Sequence, residues 1–170
     1  RRMKCSMREV GKGFSSHRML KEYSERFYFP ALENSRSLTA AGFAPAKDLA
    51  SYLEKARAAW PHVAISELKT DAVPVMERGD QVNIEALVEL GGLDPSGALV
   101  ELYHGQVSSQ DEITSPERVE MAAVEKRGNA WLYRVSIACA RTGKHGYAAR
   151  VLPKHPALAS PFVPGLVRWA

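Results

Sequence analysis

The sequence predicts an α+β fold, with an N-terminal helical segment followed by an antiparallel immunoglobulin-like β-sandwich. Two observations carry this. Apolar residues recur at helical spacing up to Trp60 and at a spacing of two after Pro61. The strands that follow are short, turn signals separate them, and no helical stretch intervenes, so they must pair antiparallel, because parallel strands need long crossovers. The division is read as 1–60 for the helical segment and 61–170 for the sandwich with an extended tail.

The elements follow in order. Arg1, Arg2, Met3, Lys4, Met7, Arg8 and Val10 open in a helical pattern without an initiating Met, so the chain reads as a piece of a longer protein that keeps its natural C-terminus. Ser15 or Ser16, after Gly11-Lys12-Gly13, is placed to cap the next helix, because a serine oxygen there accepts an otherwise unpaired first-turn N–H. Leu20, Tyr23 and Phe27 then fall on one helical face. Pro30 is expected to break that helix and begin another. Gly42 separates a short helix from the next, in which Leu49, Leu53, Ala56 and Trp60 form an apolar stripe against an alanine-rich background that favours helix.

Val63 and Ile65 begin the first strand, and a weak strand is read near Val73–Glu77. Val82, Ile84, Ala86, Val88 and Leu90 alternate with Asn83, Glu85, Leu87 and Glu89 until Gly91-Gly92 and Asp94-Pro95 stop them. Val100 and Leu102 lie in another strand, ending near Gly105. Val119, Met121 and Ala123 are read as one further strand, closed by Gly128-Asn129. Trp131, Tyr133, Val135, Ile137 and Cys139 give the strongest alternation, and the turn 141–146 leads into Tyr147, Ala149 and Val151. The Cys–Trp–Cys signature of antibody domains is absent. The tail carries four prolines among Leu152, Leu158, Phe162, Leu166 and Trp169, and a stiff apolar tail of this kind is expected to dock on a surface.

Composition excludes several functions. With 170 residues and 45% hydrophobic content, the chain can bury a sizeable core in one or two domains. It holds no secretory signal and no apolar run long enough to span a bilayer. The two cysteines, Cys5 and Cys139, lie far apart in sequence and in different predicted regions, which is no disulfide framework and no metal-ligand spacing, so a reducing, cytoplasmic location is the expectation. His17, His62, His104, His145 and His155 form no ligand-spaced cluster, so no metal is expected. Residues 1–60 carry a net charge of +6 and residues 61–170 a net charge of −2. The basic residues are interleaved with acids, as in Arg18/Glu22, Lys21/Glu25 and Glu22/Arg26, which is the pattern of a solvated helix face and not of a nucleic-acid surface.

Candidate chemistry is sparse. Gly11-Lys12-Gly13 lacks the spacing of a phosphate loop and follows no strand. Ser15, Ser16 and His17 are chain neighbours at a helix start and do not converge as a triad. Asp111-Glu112, Glu117 and Glu120 read as solvated loop and edge acids. Trp131, Tyr133 and Tyr147 have faces suited to stacking on sugar, but their alternation assigns them to the inward, core-facing side.

Arg2-Met-Lys-Cys-Ser-Met-Arg-Glu-Val10 and Phe14-Ser-Ser-His-Arg-Met-Leu-Lys-Glu-Tyr-Ser-Glu-Arg-Phe-Tyr-Phe-Pro30 resemble the last part of the catalytic region of bacterial and archaeal α-glucan (glycogen or maltodextrin) phosphorylases. Gly146-Tyr-Ala-Ala-Arg-Val-Leu-Pro-Lys-His-Pro156 and Gly165-Leu-Val-Arg-Trp-Ala170 resemble the ending of the subgroup with an extra C-terminal β domain, and Val82–Gly92 and Val100–Gly105 fit the same subgroup. The resemblance implies a parent enzyme that splits the terminal α-1,4 bond of a glucan with inorganic phosphate, releasing glucose 1-phosphate. It also implies a two-lobed glycosyltransferase fold holding pyridoxal phosphate as a Schiff base on a lysine. The glycine-rich stretch with that lysine and the basic phosphate-binding cluster have no counterpart here, and Lys4, Lys12 and Lys21 do not match. This chain is therefore expected to hold no catalytic, cofactor-binding or metal-binding residue.

The partner so implied is the missing catalytic lobes, one of which Phe14–Pro30 would cap. Two other readings stay open. Two or three aromatics exposed together on one face would favour a carbohydrate-binding module for α-glucan. Buried aromatics with an exposed apolar patch would favour a structural domain or one that joins copies of the chain.

Overall fold

The computed structural model describes residues 2–73 and 75–170. After α1 (Arg2–Gly13), Ser15 takes extended backbone and its Oγ accepts the Arg18 N–H at 3.2 Å, so Ser15 caps α2 (Ser16–Tyr23). Pro30 does not break the helix as expected. The chain widens into a π-helical turn, Ser24–Tyr28, in which the Phe29 N–H donates to the Ser24 carbonyl, and α3 (Phe29–Ala59) follows directly. Proline removes one donor and its ring crowds the carbonyl four residues back, and the wider turn accommodates both. The expected separation at Gly42 is present inside α3: Ala40 to Phe43 leave helical dihedrals, with φ of +65° at Gly42, a region open to glycine.

The chain divides into two compact units, one ending at Asp48 and one starting at Leu49. Among the described residues up to Asp48, no side chain is buried. Phe14, Met19, Leu20, Tyr23, Phe27 and Leu32 are all exposed. The Tyr23 ring lies 5.7 Å from Phe27 and 6.3 Å from Tyr28, centroid to centroid, forming a local aromatic cluster open to solvent.

The second unit is a sandwich of two four-stranded antiparallel sheets. In chain order the strands are β1 (Val63–Thr70), β2 (Gln81–Leu90), β3 (Ala98–Val107), β4 (Ile113–Glu120), β5 (Ala122–Arg127), β6 (Ala130–Ala138), β7 (His145–Pro153) and β8 (Arg168–Trp169). One sheet runs β1-β2-β6-β5 and the other β4-β3-β7-β8. Lettered as in immunoglobulin domains, these are the ABED and C′CFG sheets, so the topology is that of the predicted immunoglobulin-like fold. Val82, Ile84, Ala86, Val88 and Leu90 all point inward, against Val100, Leu102, Ala149 and Val151 of the other sheet. The last turns of α3 and the 3₁₀ turn Trp60–His62 add Ala56 and Trp60 to the same core.

Three local expectations change. The single strand read through Val119, Met121 and Ala123 is two strands in different sheets. Met121 is the crossing point: its side chain is buried between the sheets and its N–H donates to the Val100 carbonyl, after which Ala122 pairs with Arg134 of β6. The weak strand at 73–77 does not form in its described residues, Val73 and Val75 being exposed in a loop; Pro74 lies outside the described residues. A stretch interrupted by a proline cannot donate a continuous ladder. The tail does dock: Leu166 is buried in the core, and β8 pairs Trp169 with Arg150 and Arg168 with Val151.

On the outer face of the second sheet the tail also covers a charge. Arg150 is buried, and its Nε and Nη2 donate to Glu101 Oε2 at 2.8 and 2.7 Å. Its guanidinium lies 5.0 to 5.7 Å from the ring centroids of Phe162, Trp169 and Tyr103. A desolvated guanidinium is tolerated there because a carboxylate and three π-faces replace its water.

Candidate functional site

The sandwich is closed at one end by Trp60 and open at the other. At the open end Ala72, Val73 and Met76 to Arg78, together with the loop 139–144, border a cleft of about 430 Å³ between the sheets. That volume is in the range of small-ligand sites.

The cleft has two unlike walls. One is apolar: Val82 and Ile84 from β2, Ile137 from β6, and Cys139 with Met76, whose sulfurs lie 4.0 Å apart. The other is a polar row across three adjacent strands. Tyr147 of β7 is directly opposite His104 of β3, and His104 is directly opposite Glu117 of β4. Directly opposed residues of an antiparallel pair share a face, so aromatic ring, imidazole and carboxylate stand side by side. Arg141 continues the row through its ion pair with Glu117, at 3.5 Å.

Electrostatics follow from depth. Burial holds the His104 imidazole below the ordinary histidine range; the Glu117 carboxylate opposes this and His145 adds to it. At neutral pH the ring is therefore uncharged. Its Nε2 is enclosed and has no hydrogen-bond partner among the described residues. An enclosed polar atom without a partner is uncommon in folded proteins. Two of the three Lys and Arg side chains in the lining are ion-paired, Arg141 with Glu117 and Lys144 with Asp111 at 2.6 Å, a bond that lowers the Asp111 carboxyl; the third is Arg78, which lines the cleft beside Glu77.

The residues singled out in the sequence are placed as follows. Ser15 is a helix cap, and Asp111, Glu117 and Glu120 are ion-paired surface acids, the last with Lys154 at 2.6 Å. Cys5 and Cys139 are free thiols. Tyr133 is buried and its phenol is pushed up to about 12, first by burial and then by Asp94 and Glu120. Trp131 is half-buried and packs against the core. Tyr147 corrects the expectation. It occupies the inward register, opposite His104, yet it is 38% exposed, because the strand end where it sits is not capped. His104 and His145, scattered in sequence, line the same cleft. The convergence of His104, Glu117 and Arg141 was not legible in the sequence, since it depends on which strands pair. Among the described residues, no group of three or more His, Cys, Asp or Glu is placed to hold a metal ion, and no helix is long and apolar enough to cross a membrane. Every lysine side chain described is exposed.

The second unit is thus an immunoglobulin-like sandwich with its tail strapped over one sheet. Residues 60–170 match the glycogen phosphorylase C-terminal domain family, and the chain belongs to that family. It is similar to the maltodextrin phosphorylase of Thermococcus litoralis, with 33% identity over 98% of this chain and 20% of that protein. It is also similar to the glycogen phosphorylase of Mycobacterium bovis, with 32% identity over 97% of this chain and 19% of that protein. The chain thus spans about a fifth of the length of the curated relatives it matches. A likeness to a solved Pseudomonas fluorescens alkylpurine DNA glycosylase, with a TM-score of 0.36 and 20% identity over 54% of this chain and 27% of that one, carries no argument.

Proposed function

We propose that this chain is the C-terminal, accessory part of a cytoplasmic α-glucan phosphorylase, the parent enzyme cleaving α-1,4-glucan with phosphate to give glucose 1-phosphate. In this reading residues 1–60 end the catalytic region and link it to a sandwich over 61–170. The observation that carries it is the exposed apolar face of the helical unit, with Phe14, Leu20, Tyr23 and Phe27 all open to solvent in a chain whose relatives are about five times longer. A face of this size and composition is built to be covered, and the catalytic lobes are the partner that covers it.

Pyridoxal phosphate belongs to the parent in this reading and not to these residues. A Schiff-base lysine needs an enclosed pocket that also holds the cofactor phosphate, and the described lysines, all exposed and four of them ion-paired, do not fit that requirement. The role assigned to the chain is structural, with no catalytic residue.

The test uses the 170-residue chain. Incubation with pyridoxal phosphate followed by borohydride is expected to fix no cofactor at a specific lysine, and maltodextrin with phosphate is expected to yield no glucose 1-phosphate. Hydrogen exchange is expected to be fast at 20–27 and slow in β2 and β6, because the helices lack their cover. A single labelled lysine, or glucose 1-phosphate release, would overturn the proposal.

A further inference from the structure

We infer that the cleft at the open end of the sandwich is a binding site for a neutral polyhydroxylated ligand, an α-1,4-glucan chain, held between the Tyr147–His104–Glu117 row and the apolar wall of Ile137 and Met76. The choice of α-glucan among sugars rests on the function proposed above; the ligand class rests on the geometry of the cleft.

The two walls match the two surfaces of a pyranose. Its C–H faces are apolar and suit Ile137, Met76 and the half-exposed ring of Tyr147. Its hydroxyl edge needs acceptors and donors set close together. The exposed Glu117 carboxylate supplies acceptors and the exposed Arg141 guanidinium donors, with the His104 imidazole packed behind them in the same row. Charge separates this ligand from its rivals. A phosphate or other anion needs several unneutralised cations together; Arg141 and Lys144 are each held by a carboxylate, and the remaining one, Arg78, shares the lining with Glu77. A wholly apolar ligand would leave the row of imidazole, carboxylate and guanidinium desolvated without partners, which is costly. A ring that is apolar on its faces and polar on its edge avoids both penalties. Because Tyr147 is exposed and lies at the strand end, it can serve as a platform without being needed for the core.

Titration calorimetry on the full chain with maltoheptaose tests this, with inorganic phosphate as the competing probe. Saturable binding is expected at about millimolar strength, as befits a short open cleft. Tyr147→Ala and Glu117→Gln should each weaken it by about tenfold, the loss of one aromatic or charge-assisted contact, with both melting curves close to that of the parent chain. Absence of saturable binding overturns the inference. So does binding that both variants leave unchanged, since the sugar then sits elsewhere, and so does displacement by phosphate, which would make this an anion site. These outcomes are separate from the borohydride and exchange results above. The chain can fail as a glucan binder and still be an inert accessory domain, and a labelled lysine would end the accessory reading whatever the titration gives.

Discussion

The two ends of the sandwich are made by the same strands and finished in opposite ways. At one end β2 stops at Leu90, and Ala56, Ala59 and Trp60 close the space between the sheets. The fit is tight enough that a Cβ on Gly91 would come within 2.3 Å of the Ala59 carbonyl oxygen. The Tyr52 hydroxyl seals the seam, donating to the Gly97 carbonyl at 2.8 Å and accepting the Lys154 N–H at 3.0 Å, while its ring stacks on His155. At the other end only loops meet. His104 and Tyr147 occupy inward positions there, as Val100 and Val151 do further along the same strands, yet they border an open cleft. Inward orientation is thus a property of strand register, whereas burial also depends on what caps the strand end. The capped end supplies stability, and the uncapped end leaves polar groups available to a ligand.

The largest effect that sharpens this comparison is expected at the capped end. Trp60 is 3% exposed. Trp60→Ala should cost about 3–5 kcal/mol in chemical denaturation, as large aromatic truncations in cores do. A cost below about 1 kcal/mol, the level of a surface change, would mean that the helix end is not part of the core and that the two ends do not differ as described.

Next in size is Tyr52→Phe. It removes a hydroxyl that bonds two backbone groups from different segments and leaves the ring in place. The expected loss is about 1–2 kcal/mol, one or two net hydrogen bonds with one carbonyl and one N–H left short of a partner. Burial raises the Tyr52 phenol above its ordinary value, with the Lys154 N–H opposing, so the hydroxyl stays protonated and able to donate across the neutral range. An unchanged denaturation midpoint in the phenylalanine variant would show that water replaces both bonds without cost.

What the sequence could reveal follows the same division. The alternation from Val82 to Leu90 specified its own buried face, because β2 is a central strand flanked by β1 and β6 and its pattern is set by the pleat alone. The stripe from Leu49 to Trp60 was equally legible as a helix. Strand β4 was not, since ITSPERVE is an edge with polar composition and a proline, and edges need no apolar alternation. The crossing at Met121 kept an apolar residue in step with Val119 and so concealed a change of sheet. The cleft was illegible for a deeper reason. Tyr147, His104 and Glu117 are brought together only by the order β4-β3-β7, and nothing in their spacing announces it. The apolar face around Tyr23 was readable as a helix face, while its exposure in the structure was not, because helical spacing groups residues on a face without saying what packs on it.

The smallest expected effect belongs to the open end and is a dependence on pH. His104 is the group to follow, because burial lowers its affinity for protons while Glu117 raises it and His145 lowers it further, leaving the folded value below that of the unfolded chain. Between those two values the unfolded state binds more protons, so stability rises with pH. The contribution is present above the unfolded value of about 6.5 and is lost as pH falls through the lower, folded one. Denaturation midpoints taken from pH 8 down to pH 5 should therefore decline below about 6.5, and the decline should be shallower in His104→Gln, which cannot titrate. Trp60→Ala should lower the whole curve without changing that component of its slope, because the capped end lies away from the imidazole. If His104→Gln declines as steeply as the parent chain, the histidine is solvated in the folded state and the open end is looser than its geometry indicates.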